Sequence, residues 1–358
     1  MPIFDQGYQH WNGTLRGQST RVAVISARGI RVQLRNRWVR WILLASLGPA
    51  FLLSIFLVIW GLFESKSSLL TPFLMFFQNL PEELKAGPKG YRGAFWTLAV
   101  RQFFEAQLFF SMILVLLVGP DLISQDLRFN ALPLYLSRPV RRYEYFLGKL
   151  GVIGFFLGAT TLLPVVIAFL LGFGFSLDPS VIRDTGRLFL GSLAFGLLVV
   201  VSAGLLMLAF SSLSRNSRYV GATWIVFWLV GNITSSVLGD SVRQDWCQLT
   251  SYTQNLLRMR DSLIGADVAW DQVQRLFQAG RDGIDTITQN PFTRGRGRRS
   301  RATEPEQPFR RRERLGGFQA YFAPATYPWW WSASVLAGLA ATSTLVLATR
   351  VRSLDRLE

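Results

Sequence analysis

Six apolar runs, each about 20 residues long, are the feature that most constrains the fold of this chain. A helix of that length crosses a hydrocarbon core about 30 Å thick, and it pairs its own backbone polar groups, as lipid requires. The predicted spans are residues 41–63, 102–119, 150–175, 188–213, 219–239 and 329–349. Because 50% of the 358 residues are hydrophobic and 17% are charged, the sequence predicts an all-α polytopic membrane protein with six transmembrane helices.

Lysines and arginines beside the spans predict the orientation, since they are enriched on the cytoplasmic side. Five arginines precede the first span: Arg28, Arg31, Arg35, Arg37 and Arg40. Alternation then places residues 121–149 and the arginine-bearing C-terminal tail on the same side, whereas the connection 176–187 carries two arginines. We expect a multi-pass protein of the cell (inner) membrane with both termini in the cytoplasm.

These spans divide the chain into four parts. Residues 1–40 form a basic, amphipathic cytoplasmic segment, and residues 41–239 hold spans one to five with a cytoplasmic elbow at 120–149. Residues 240–328 form a long external loop, and residues 329–358 form the sixth span and the tail. The short apolar stretch 69–77 is predicted to be interfacial or re-entrant, because it is too short to span.

The external loop has two kinds of sequence. Its first part has apolar residues near helical spacing, which predicts amphipathic helices at the outer interface or over the span ends. Those residues are Leu256, Met259, Leu263, Val268, Val273, Leu276 and Phe277. Residues 294–314 are rich in arginine and are predicted to be disordered. An alternative, with span five re-entrant, places the loop in the cytoplasm, but the arginines after span six argue against it.

Several classes of function are disfavoured by what the sequence lacks. There is no G-x-x-x-x-G-K-[ST] nucleotide-binding loop, and the single His10 cannot form H-E-x-x-H. The single Cys247 excludes an intrachain disulfide. The net charge of +16 comes from arginines that flank apolar runs or crowd one loop, which argues against nucleic-acid binding. We therefore expect no catalytic residue, metal or cofactor in this chain.

Charges within the predicted spans are few. Arg101 and Glu105 lie one helical turn apart near the predicted outer end of span two, where they can form an ion pair. The alternative makes Glu105 a substrate-binding or gating residue, because carboxylates inside a membrane often mark a transport pathway.

Nearly all of the elbow lies in the segment DLISQDLRFNALPLYLSRPVRRYEYFLGKL, residues 121–150. Its sequence predicts a short helix after Pro120, a break at Pro133 and a second, basic amphipathic helix from Pro139. Such a helix can lie on anionic headgroups, but that does not explain an elbow with two prolines.

This segment resembles the cytoplasmic element between spans two and three of type-2 ABC-transporter permeases. The matching residues are Asp126, Leu134, Leu136, Ser137, Pro139, Val140, Arg142, Gly148 and Lys149. The sequence departs from the family pattern in having Asp126 where Glu is usual, and Asn130 and Ala131 where a glycine-containing turn is usual. The arginine-rich external loop is also not typical of the family.

The resemblance implies that the elbow docks on a separate ATP-binding subunit, which uses the ATP. It also implies a second copy of the permease or a related one, as a homo- or heterodimer within membrane lipids. The expected contact residues are Asp126, Ser137, Arg138, Pro139, Arg141, Arg142 and Lys149. The expected function is export of a hydrophobic or amphipathic substrate. The alternative is a non-transporting membrane anchor or assembly factor that recruits a cytoplasmic complex.

Overall fold

The computed structural model describes residues 19–65, 88–131, 142–176, 178–242, 245–276 and 327–354, and these ranges are almost entirely helical. Six helices in them are long and apolar enough to cross a membrane. They are Arg37–Glu64, Lys89–Arg128, Tyr143–Ser176, Ser180–Leu213, Ser217–Leu238 and Trp329–Arg350. The predicted all-α fold with six spans is confirmed, and the chain is a multi-pass membrane protein.

The individual helices are named α1 to α10 in chain order. They are α1 (Ser19–Leu34), α2 (Arg37–Glu64), α3 (Arg92–Val118), α4 (Asp121–Arg128), α5 (Arg142–Ser176), α6 (Ser180–Leu213), α7 (Ser217–Val242), α8 (Tyr252–Ile264), α9 (266–276) and α10 (Trp329–Leu354). Short 3₁₀ turns at Pro88–Tyr91 and Asp245–Thr250 precede α3 and α8.

Several helices extend beyond the spans predicted from hydropathy, among them α5, which begins at Arg142 rather than at residue 150. Helix α3 begins at Arg92 rather than near residue 102, and α6 begins at Ser180, so much of the predicted connection 176–187 is helical. Charged residues near these helix ends lower the hydropathy without breaking the helix, because their side chains find partners inside the protein.

The six spans form an inner group and an outer group. More than half of the most apolar stretch is buried in α3, α5 and α6, but only about a fifth in α2, α7 and α10. Large side chains fill the centre, among them Trp96, Phe104, Phe195 and Trp224. The outer spans therefore present wide apolar faces, as helices in contact with lipid do.

Helix α1 packs closely on the first turns of α5. A Cβ atom added to Gly148 would lie 2.6 Å from the Ile25 side chain, and one on Gly151 would lie 2.4 Å from Ser26 Oγ. The Ser26 hydroxyl donates to the Gly148 carbonyl at 2.8 Å. The two glycines thus allow the backbones of α1 and α5 to approach each other.

Helices α8 and α9 confirm the helical prediction for the first part of the long loop, and Phe277 lies outside the described residues. Ser251 caps the start of α8, and Gly265, with φ of +72°, turns the chain into α9. Helix α8 packs among the spans α3, α6, α7 and α10, and the Tyr252 hydroxyl lies 2.9 Å from Ser202 Oγ within α6. Helix α8 therefore lies among the spans, and not at the outer interface or over the span ends as predicted.

Candidate functional site: the elbow between α3 and α5

The start of α4 is capped by a side chain from another span. Pro120 stands at the N-cap position and has no side-chain acceptor. Ser211 of α6 supplies one, because its Oγ accepts bonds from the N–H groups of Ile123 and Ser124 at 3.0 Å each. The same hydroxyl donates to the Pro120 carbonyl at 2.9 Å. Ser211 is fully buried, so all its hydrogen-bonding capacity is used to fix α4 to α6.

Further contacts hold α4 against the bundle. Its Leu122 and Ile123 side chains are buried in the core, and the Ser124 hydroxyl lies 2.9 Å from that of Ser217 at the start of α7. Just before α4, a Cβ atom on Gly119 would lie 2.2 Å from Met207 of α6. The first arm of the elbow is thus attached to two spans besides the one it follows.

The end of α4 is closed by a left-handed residue. Asn130 has φ of +50°, Ala131 N–H donates to the Asp126 carbonyl at 2.8 Å, and Asn130 N–H donates to that of Leu127 at 3.4 Å. This is the pattern of a Schellman motif, in which glycine is most common and asparagine is tolerated. Asn130 therefore supplies the turn that the family resemblance places on a glycine.

Asp126 joins α4 to α5. Its Oδ2 lies 2.7 Å from Lys149 Nζ and also accepts a hydrogen bond from the Tyr145 hydroxyl. The Lys149 ammonium group lies 5.4 Å from the centre of the Tyr145 ring, within the range of a cation–π contact. The resemblance implies that Asp126 and Lys149 contact the ATP-binding subunit. In this chain the two residues form a salt bridge with each other.

The tip of the elbow lies outside the described residues. Ser137, Arg138, Pro139 and Arg141 belong to it, and Arg142 is the first residue of α5, whose side chain is likewise outside the description. Their contact with an ATP-binding subunit stays a prediction. Beside the tip, Tyr143 and Leu147 lie one turn apart on α5 with about half of each residue's surface exposed.

A buried ion pair that the sequence analysis missed lies at the opposite end of the bundle. The Arg92 guanidinium is fully buried, and its Nε donates to both oxygens of Glu64, at 2.7 and 2.9 Å. Trp60 Nε1 donates to the same carboxylate at 2.6 Å, and Arg92 Nη1 lies 3.2 Å from Asp184 Oδ2. Helices α2, α3 and α6 are joined by these bonds, which make the pair a structural clamp.

An exposed ion pair lies beside this clamp. Lys89 Nζ lies 2.6 Å from Asp178 Oδ2, in the link between α5 and α6. The hydrogen bond from Lys89, helped by one from the Ser180 backbone, lowers the pKa of Asp178 to about 2. The Asp178 carboxylate is therefore ionised throughout the physiological pH range.

Arg101 and Glu105 belong to a charged cluster with α8. Arg101 Nε lies 3.3 Å from Asp261 Oδ1. Arg260 Nη2 lies 2.7 Å from the same oxygen, and Arg260 Nη1 lies 3.4 Å from Glu105 Oε2. Both α3 residues lie well inside the helix, about 14 and 20 Å along its axis from Arg92, and not at its outer end. Their predicted direct ion pair stays a prediction. Two arginines, one aspartate and one glutamate give the cluster no net charge.

Within the described ranges, no group of three or more His, Cys, Asp or Glu side chains is arranged to hold a metal ion.

A family model described as "ABC-2 family transporter protein" matches residues 30–297, which is more than half of the chain. No curated protein matches the sequence. Members of the family are membrane permease subunits, generally without enzymatic activity, that work with an ATP-binding subunit. Since the match covers five of the six spans and the elbow, this chain belongs to the ABC-2 family of transporter proteins.

Proposed function

We propose that this chain is the membrane subunit of an ABC exporter that moves a hydrophobic or amphipathic molecule outward. A separate ATP-binding subunit docks on the elbow and supplies the energy. The observation that carries the proposal is the bracing of α4, which Ser211 fixes to α6 and the Asp126–Lys149 salt bridge fixes to α5. A force applied to the elbow then reaches three spans without unfolding the segment that receives it.

The proposed orientation places the elbow, helix α1 and both termini in the cytoplasm of a cell with an inner membrane. Its support is the basic residues at the end of the bundle where α4 lies, since cytoplasmic flanks of spans are enriched in them. They include Arg21, Arg28, Arg31, Arg35, Arg128, Lys149, Arg215 and Arg218.

ATP, not an ion gradient, is the proposed energy source. The carboxylates of Glu64, Glu105 and Asp261 are each within 3.4 Å of an arginine. A carboxylate already neutralised by arginine is a poor site for a coupling proton or sodium ion, which drives transport by binding to unpaired acidic groups.

The hydrocarbon-rich faces of the outer spans fit an apolar cargo. We infer that a second permease, identical or related, completes the transport pathway.

The docking assignment can be tested by charge reversal at the elbow tip. The double variant Arg141→Glu/Arg142→Glu should lose co-purification with the ATP-binding subunit of the same transporter, because a basic docking surface becomes acidic. The control is Arg183→Glu/Arg187→Glu, which makes the same charge change at the other end of the bundle, on exposed positions of α6. It should retain the subunit.

Reconstitution in lipid vesicles distinguishes an exporter from the alternative, a membrane anchor or assembly factor that does not transport. In proteoliposomes, the wild-type pair should hydrolyse ATP faster than the ATP-binding subunit alone and should transport a fluorescent apolar probe. If the tip variant keeps its partner and its turnover, the docking assignment is wrong. If the wild-type pair assembles without stimulated hydrolysis or transport, the chain is a membrane anchor.

A further inference from the structure

A pocket of about 480 Å³ lies between α2, α3 and α9. Its walls come from Pro49, Leu52, Leu53, Phe56, Phe95, Leu98, Ala99, Gln102, Phe103, Ala106, Trp270 and Val273. Apart from the amide of Gln102 and the indole N–H of Trp270, these side chains offer only carbon. The volume falls within the roughly 300–1,000 Å³ of ligand sites in proteins.

The pocket has a closed back and an open mouth. Leu53, Phe103, Trp270 and Val273 form the back, with 6% or less of each residue exposed. Leu52 stands at the mouth with 69% of its surface exposed, on the face of α2 that the bundle leaves uncovered. In a membrane, that face meets hydrocarbon, so the pocket opens sideways into the lipid.

The length of the pocket matches one leaflet. Its lining positions on α3 run from Phe95 to Ala106, which is about 16 Å along a helix. Half of a hydrocarbon core about 30 Å thick is about 15 Å. Phe95 lines one end of the pocket, and its ring stacks on that of Trp60 with 4.7 Å between the ring centres. Trp60 in turn donates a hydrogen bond to the carboxylate of Glu64, one turn further along α2. The pocket therefore extends from the end of the bundle that carries the buried ion pair to about mid-membrane.

The chemistry of the lining selects its occupant. A cavity of this kind favours apolar molecules over water, because the amide of Gln102 and the indole N–H of Trp270 are the only polar side-chain groups in its lining. An empty pocket would forfeit the dispersion contacts of every side chain in its wall. We propose that it binds one acyl chain of a membrane phospholipid, inserted from the leaflet at the Glu64–Arg92 end of the bundle.

The test uses the full chain, without an ATP-binding subunit, in nanodiscs made with a phosphatidylcholine that carries a diazirine midway along one acyl chain. After irradiation, labelled residues are mapped by mass spectrometry. Bulk lipid should label exposed residues such as Leu229 of α7, whereas a chain inside the pocket should also label the buried Trp270 and Val273. A label confined to exposed residues overturns the proposal, because the pocket is then occupied by protein or closed.

A matched pair of variants makes the result specific. Ala99→Trp fills the pocket and should abolish the label on Trp270 and Val273, whereas Ala222→Trp, at an exposed position on α7, should leave it unchanged. Ala106→Leu is a smaller obstruction that should reduce the label if Ala99→Trp fails to fold. Undiminished labelling in a folded pocket variant overturns the proposal. Since neither ATP nor transport enters the measurement, failure of the export proposal would leave this result unchanged.

Discussion

Lys149 Nζ of α5 lies 2.7 Å from Asp126 Oδ2 of α4, and only 14% and 17% of these side chains are exposed. One carboxylate thus ties the short helix after the second span to the first turns of the third span. The neighbouring Gly148 lets α1 approach the same turns. Residues that look like a docking motif in the sequence therefore also hold the elbow's own shape, and rigidity is a condition for transmitting force.

Removing the Asp126–Lys149 bridge should weaken the transmission of force between the ATP-binding subunit and the spans. In Lys149→Met, the Asp126 carboxylate loses its cation, and we expect weaker stimulation of hydrolysis and slower transport while the ATP-binding subunit still co-purifies. The charge-swapped double variant Asp126→Lys/Lys149→Asp should recover part of the loss. The interaction energy between the two sites, from thermal unfolding of single and double variants, should be about 0.5–3 kcal/mol. Full coupling in Lys149→Met would contradict this role.

The cap on α4 gives a second prediction. Ser211→Ala removes the acceptor of two backbone N–H groups, which should cost about 1–3 kcal/mol, because they are left buried and unsatisfied. Hydrogen exchange of the peptide covering residues 121–131 should then become faster. Ser212→Ala is the matched control, since the Ser212 hydroxyl donates only within α6, to the Ala209 carbonyl at 2.7 Å. Equal exchange rates in the two variants would mean that Ser211 does not hold α4.

Hydropathy predicted the six spans because every residue of an apolar run contributes to the same signal. It placed the start of span two too late because Arg92, Arg101 and Glu105 interrupt that signal. Their partners come from other helices, and Glu64 precedes Arg92 by 28 positions. No local pattern reports such a pairing, so the charges looked like the end of a span.

The elbow shows the same limit of local sequence patterns at the level of single residues. Local signals predicted the helix after Pro120, and the structure has α4 there. They did not predict that its cap would come from Ser211, 91 positions after Pro120, or that Asp126 would pair within the chain. A serine in a span looks like a packing residue until tertiary structure places it beside free backbone N–H groups.

The buried pair of Glu64 and Arg92 gives the third prediction. Arg92→Met leaves the Glu64 carboxylate buried without its cation, and breaking a buried pair in this way costs about 3–5 kcal/mol. Thermal unfolding in detergent should therefore occur at a clearly lower temperature. The double variant Glu64→Met/Arg92→Met should recover much of the loss, because no buried carboxylate is left without its cation and Asp184, which also loses Arg92, is partly exposed to water. Lys89→Met is the control. It breaks the pair with Asp178, whose carboxylate is partly exposed and keeps Arg92 Nη2 at 3.9 Å, and it should leave the unfolding temperature almost unchanged. Equal losses in Arg92→Met and Lys89→Met would show that burial of the Glu64–Arg92 pair does not control the stability of this end of the bundle.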